Sequence, residues 1–92
     1  MSKRKELVNK IMTDFFAIPK DLVLDLPKIT IVGRDELYLE NHRGIIEYSP
    51  HRIRINLIRG FLEIEGRDMV IKALLAEEMS ITGEIYLVRF MD

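Results

Sequence analysis

From Lys28 onward the chain alternates apolar and polar residues in short bursts. Ile29 and Ile31 interleave with Lys28 and Thr30; Leu37 and Leu39 interleave with Glu36, Tyr38 and Glu40. Ile45–Tyr48, Ile53–Leu57, Leu62–Ile64, Met69–Lys72, Met79–Thr82 and Ile85–Phe90 continue the period of two. Such alternation marks half-buried strands. Turn signals separate the bursts: Gly33-Arg34-Asp35, Asn41-His42-Arg43-Gly44, Ser49-Pro50 and Arg59-Gly60. One pattern recurs. Ile29-Thr-Ile-Val-Gly33-Arg34-Asp35 returns 33 residues later as Leu62-Glu-Ile-Glu-Gly66-Arg67-Asp68. Read locally, each copy is a strand, a tight corner and a second strand. Ala73–Glu78 fits neither period and reads as a connection whose leucines plug the edge of the core. If Arg59-Gly60 is a two-residue hairpin loop, Leu57 faces Leu62, Ile55 faces Ile64 and Arg54 faces Glu65.

Before Lys28 the period differs. Leu7, Val8, Ile11, Met12, Phe15 and Phe16 share one stripe at helical spacing. Lys3, Arg4, Lys5, Glu6, Asn9, Lys10 and Thr13 fill the other side. The spacing predicts an amphipathic helix over 3–18, capped by Ser2 and stopped before Pro19. The expected architecture is therefore a single domain, 1–92. It is mainly β: a small antiparallel β-sandwich or roll of about seven to eight short strands. One N-terminal amphipathic α-helix (3–18) precedes a β-domain (28–90) with a repeated strand–Gly-Arg-Asp–strand unit.

Composition narrows the setting. Ninety-two residues, 48% apolar and 32% charged, are ordinary for one globular domain. The net charge of −1 gives no global attraction for nucleic acid. The absence of cysteine favours a reducing, cytoplasmic setting, since secreted domains of this size usually carry disulfides. Asn9, Lys10, Thr13 and Asp14 interrupt the apolar run that would follow a signal n-region, so no signal peptide is expected.

Candidate chemistry is sparse. His42 and His51 stand beside turns without a third placed ligand, which makes solvated turn histidines the simpler reading and no metal site the expectation. Asp35 and Asp68 repeat with their corners, where Asp closes turns through its own side chain. Arg43, Arg52, Arg54 and Arg59 form an outward basic strip, balanced by Glu47, Glu63 and Glu65. No Gly-x-Ser-x-Gly elbow, reactive cysteine or phosphate-binding glycine loop is present. No catalytic residue and no cofactor are expected. The last strand is more telling. Ile85 and Leu87 alternate with Tyr86, Val88 and Phe90, so both of its faces are apolar and call for cover. Phe15 and Phe16 of the helix can supply it, or a partner chain can. Phe15, Phe16, Tyr86, Val88 and Phe90 are thus the candidate docking surface.

Two stretches carry a family resemblance. Gly60-Phe-Leu-Glu-Ile-Glu-Gly66-Arg-Asp-Met-Val-Ile-Lys-Ala-Leu74, followed by Met79-Ser-Ile-Thr-Gly83-Glu-Ile85, resembles the YabP/YqfC family of sporulation proteins. Pro27-Lys-Ile-Thr-Ile-Val-Gly33 and Asn41-His-Arg-Gly-Ile-Ile-Glu-Tyr48 look closer to the YqfC branch. The resemblance covers nearly the whole chain and includes no catalytic signature. It implies a role in endospore formation, in the mother cell, with a link to the spore coat on the YabP side. The expected function is therefore non-enzymatic: a structural or assembly component acting through protein–protein contacts, with a protein partner or a second copy. The alternative is a membrane-peripheral adaptor whose cationic helix docks on anionic lipid or an integral membrane partner.

Overall fold

Each apolar alternation after Pro27 becomes strand. The computed structural model describes residues 26–92. Strands β1 (Lys28–Val32), β2 (Glu36–Glu40), β3 (Ile45–Tyr48), β4 (Arg52–Asn56), β5 (Phe61–Leu74) and β6 (Glu78–Met91) form one antiparallel sheet. Their spatial order is β1-β2-β6-β5-β4-β3. The expected helix at 3–18 lies outside the described residues.

The mainly β, antiparallel expectation holds, but there are six strands among the described residues, not seven or eight. The reason is fusion. The bursts 62–64 and 69–72 belong to one 14-residue strand, β5; the bursts 79–82 and 85–90 belong to another, β6. The Gly66-Arg67-Asp68 copy is therefore not a tight turn. It is a bulged bend inside β5, with a register shift at Arg67/Val70 and Asp68 at φ 52°, and the neighbouring shift at Glu65/Gly66 puts its extra residue in β6. An extra residue in one strand bends it without ending its pairing. Only the first copy, Gly33-Arg34-Asp35, reverses the chain, between β1 and β2.

β5 and β6 form a long ribbon, closed by Leu75–Glu77, where the Leu75 amide donates to the Glu78 carbonyl at 2.7 Å. Each flanking hairpin covers only half of it. β2 pairs with Glu78–Thr82 of β6; β4 pairs with Phe61–Glu65 of β5. The two attachments match closely. The Gly83 amide donates to the Asp35 carbonyl (3.1 Å) and the Ile85 amide to Arg34 (2.9 Å). On the other side the Gly66 amide donates to His51 (3.1 Å) and the Met69 amide to Pro50 (2.9 Å). The sheet thus has an approximate two-fold relation that maps β1-β2-β6 onto β3-β4-β5. It does not coincide with the sequence recurrence. The first Gly-Arg-Asp corresponds in space to Ser49-Pro50-His51, and the second to the bend at Gly83.

At mid-ribbon the strands pass very close. A Cβ on Gly83 (φ 141°) would lie 2.7 Å from Met69 Cα and 2.9 Å from the Asp68 carbonyl oxygen. A Cβ on Gly66 would meet the Glu84 carbonyl oxygen. Both halves of the bent ribbon contribute to one core: Leu37, Leu39, Ile53, Ile55, Leu57, Leu62, Ile64, Met69, Met79, Ile81 and Ile85. Burying each such side chain contributes about 1.5–3 kcal/mol, so this cluster is what holds the bend.

The β4–β5 register differs from the expected one by two residues. Ile55 faces Leu62, Ile53 faces Ile64 and Arg54 faces Glu63; the connection runs from Leu57 to Gly60, with the Leu57 amide on the Gly60 carbonyl at 3.1 Å. A shift of two keeps every side chain on its own face, so sidedness alone does not reject it. The leucines of the 73–78 segment also behave differently from expectation: Leu74 and Leu75 are exposed and plug nothing.

Candidate functional site

The candidate surface centres on the C-terminal half of β6. Beyond Thr82, β2 no longer pairs with β6, so from Tyr86 to Met91 only β5 flanks it among the described residues. The bulge opposite Glu65/Gly66 leaves Tyr86 without a register partner. It also resets the alternation. Ile85 is buried and Val88 packs on the same core, whereas the sequence had placed them on opposite faces. Tyr86 and Phe90 are left 60% and 64% exposed. Ile31 and Val32 on the outer strand β1 are also exposed. Of the five predicted surface residues, Tyr86 and Phe90 are therefore presented to solvent and Val88 is partly buried. Phe15 and Phe16 lie outside the described residues.

The opposite seam is closed differently. Tyr48, at the end of β3, reaches across to β5, where its hydroxyl accepts the Ile71 amide at 3.2 Å. In the two-fold relation Val32 takes the place of Tyr48, and its short side chain has no hydroxyl to make that bond.

The polar residues build a second feature, of which the sequence reading gave the charge balance but neither the pairing nor the burial of Glu63. The register sets Glu47, Arg54, Glu63 and Arg89 directly opposite one another across β3, β4, β5 and β6. Glu63 is only 1% exposed. Arg54 Nε donates to its Oε1 at 2.9 Å, and Arg89 Nε to its Oε2 at 2.7 Å. Hydrogen bonding from Arg89 holds the Glu63 carboxyl below its ordinary range; burial opposes this, and Arg54 adds to the lowering. Glu47 accepts from Arg52 at 3.0 Å and lies 3.6 Å from Arg54, whose guanidinium also sits 5.8 Å from the Phe61 ring centroid. The hydrogen bond from Arg52 to Glu47 raises the arginine's already high value. Arg52 and Arg54 of the expected basic strip are thus drawn into a ladder of alternating charge. The signal was present, since Glu63 has a cation available on each neighbouring strand, but it needed the correct register.

His42 is also not a solvated turn histidine. It is buried, and its Nδ1 accepts the Gly44 amide at 3.0 Å. Its Nε2 lies 2.9 Å from the Leu75 carbonyl oxygen, an acceptor, so that nitrogen carries the proton of the donor. With its own amide on the Glu77 carbonyl (3.1 Å), His42 ties the β2–β3 turn to the β5–β6 turn. His51 is exposed. Asp35 and Asp68 both lie at the mid-ribbon bend with exposed side chains, and Asp68 pairs loosely with Arg67 at 3.6 Å. Among the described residues, no three His, Cys, Asp or Glu side chains gather closely enough to hold a metal ion. No helix among them is long and apolar enough to cross a membrane.

These features define a small antiparallel β-domain whose surface is shaped by open strand edges, exposed aromatics and a paired charge ladder. Its sequence places it among known proteins. The YabP family model matches residues 25–92. The chain is 41% identical to the uncharacterized protein YqfC of Bacillus subtilis (strain 168), over 92 residues that span all of this chain and 99% of that protein. The chain belongs to the YabP family.

Proposed function

We propose that this protein is a non-enzymatic scaffold of endospore formation, working in the mother-cell cytoplasm by binding a protein partner along the C-terminal half of β6. The observation that carries the reading is the half-covered strand. The pairing of β6 with β2 ends at Thr82, and the remaining edge, Tyr86–Met91, presents two aromatic side chains exposed by more than half. An extended segment of another protein can add to such an edge through main-chain hydrogen bonds, while its side chains take up the aromatics. Aromatic residues are favoured anchors in interface cores. The sporulation setting rests on the family resemblance, and a link to the spore coat is the finer form of the same proposal.

The test is genetic and biophysical together. A Tyr86→Ser/Phe90→Asp variant, shown by circular dichroism to be folded, replaces the native chain in a spore-forming host. Loss of heat-resistant spores supports the reading. Normal spore yield from the folded variant refutes it, as does a catalytic turnover that survives in that variant and vanishes on changing a polar side chain elsewhere.

A further inference from the structure

Four strand edges have no strand paired to them among the described residues. They are the outer sides of β1 and β3 and the unflanked ends of the long strands, Val70–Leu74 of β5 and Leu87–Met91 of β6. An open edge offers main-chain donors and acceptors to any added strand, and bulges or charges are the usual means of blunting it. Two of the four are blunted. β3 is four residues long and bulged between Ile45 and Glu47. The β5 end is bulged between Ile71 and Ala73, and the Tyr48 hydroxyl already takes the Ile71 amide. The β6 end carries Arg89, paired with Glu63, at its centre. Two copies laid antiparallel about that centre would set arginine against arginine, so this edge suits a different chain better than its own copy. β1 has none of these features. Its register with β2 runs unbroken from Lys28 to Val32. Its one charge, Lys28, stands at the end of the strand opposite Glu40, and Ile31 and Val32 are exposed. The strand is also held at its entry, where the Leu26 carbonyl accepts the Asn41 side-chain amide at 2.7 Å.

We propose that β1 pairs antiparallel with β1 of a second copy, about a two-fold axis at Thr30, and so joins two sheets into one. The strand is self-complementary in this register. Ile29 faces Ile31 of the second copy, twice over, and Thr30 faces its own counterpart; apolar and Thr–Thr cross-strand pairs are both favourable. Lys28 faces Val32 of the second copy, whose own neighbour on β2 is Glu36. Each Lys28 therefore lies between Glu40 of its own chain and Glu36 of the other, with no like charges opposed. Sidedness allows the axis to move only to a neighbouring residue, and both moves are worse. An axis at Ile31 sets Lys28 against Arg34. An axis at Ile29 sets Pro27, which has no amide proton, against Ile31. A two-fold contact of this kind closes on itself and stops at two chains. Five residues a side is few against the roughly 20–30 of a standard interface, so the pair exchanges with single chains as concentration falls. The inference goes beyond the scaffold reading: a pair would display the Tyr86–Met91 edge twice, and a repetitive partner would bind it with avidity.

The experiment uses the residue on the axis, which meets itself. Thr30 is exposed, so Thr30→Lys and Thr30→Glu change the surface and leave the core intact. Sedimentation and light scattering of the full-length protein, over the micromolar to millimolar range, give the mass. The expected result is a rise from one chain toward two for the native sequence. Each variant alone is expected to associate several-fold more weakly, because like charges then face each other, and an equimolar mixture of the two is expected to recover the pairing. Nitroxides on Lys28→Cys, Thr30→Cys or Val32→Cys, in a chain that otherwise has no cysteine, report the register. The closest approach is expected at 30, with the labels at 28 and at 32 each offset along the strand by about 14 Å, four residues. The proposal is overturned by a single chain at every concentration, by masses that grow beyond two chains, by variants that pair as the native protein does, or by a mixture that recovers nothing. A closest approach at 28 or 32 overturns it as well. The Tyr86→Ser/Phe90→Asp variant is expected to pair normally, so failure here and failure of the spore test are distinguishable.

Discussion

Replacing Gly83 with alanine tests the bend on which the whole architecture turns. At φ 141° an L-residue is strained, and this cost is on the order of 1–3 kcal/mol. The new methyl group would also press on Met69 Cα at 2.7 Å, the Asp68 carbonyl oxygen at 2.9 Å and Met69 Cγ at 3.0 Å. Two of these are backbone atoms of the partner strand and have no rotamer by which to withdraw. Forcing extra volume into such a contact costs about another 1–3 kcal/mol. The sum, roughly 2–6 kcal/mol, is a large share of the roughly 5–15 kcal/mol that holds a domain folded. Each kcal/mol lowers the melting temperature of a domain this size by about 4–8 °C. The expected outcome is a fall of at least about 8 °C, with a matching drop in urea midpoint. Gly33→Ala is the control. Gly33 also has positive φ, at 60°, but a Cβ there meets nothing within 4 Å, so only the conformational cost of about 1–2 kcal/mol remains. Equal losses for the two variants would refute the claim that β5 and β6 are pressed together at this point.

Three further outcomes follow from the side chains. Glu63 is held below its ordinary carboxylate range, so its contribution to stability is complete above that range and is lost as pH falls through the depressed value; Glu63→Gln is expected to remove that part of the acid dependence, seen as a flatter urea midpoint against pH. Tyr48→Phe deletes the bond to the Ile71 amide and is expected to cost about 0.5–1.5 kcal/mol, with faster hydrogen exchange centred on Ile71; unchanged exchange there would disprove the cross-seam bond. His42→Ala leaves the Gly44 amide and the Leu75 carbonyl without their ring partner, for a loss of about 1–3 kcal/mol in chemical denaturation, whereas His51→Ala at its exposed site is expected to be nearly neutral.

Sidedness was legible in the chain, and it placed Leu37, Leu39, Ile53, Ile55, Leu62 and Ile64 correctly in the core. Register was not. The pairing of Ile55 with Leu62 rather than Ile64 preserves every face, and a pattern of period two contains nothing that separates the alternatives. That error hid Glu63, because the same shift separated it from Arg54. The strand count failed for another reason. Asp68 takes a positive φ without being glycine, so a corner motif and a bulge inside a strand look alike in sequence. Tyr86 belongs to the same class of miss: strict alternation put it beside Val88, and the bulge moved Ile85 and Val88 onto one face instead. His42 carried a partial signal in the turn Asn41-His42-Arg43-Gly44, but its second partner, Leu75, lies 33 residues away and only the fold brings it near.

The approximate two-fold arrangement has a consequence for opening and refolding. The β5–β6 ribbon closes through a connection of three residues and each flanking hairpin is itself local, whereas docking β2 onto β6 closes the long span between Glu40 and Glu78. Neither hairpin pairs with the other; each is stitched to one strand of the ribbon. The two hairpins are therefore expected to open separately from a shared spine, with amides in β1–β2 and β3–β4 losing protection in hydrogen exchange before those of β5 and β6.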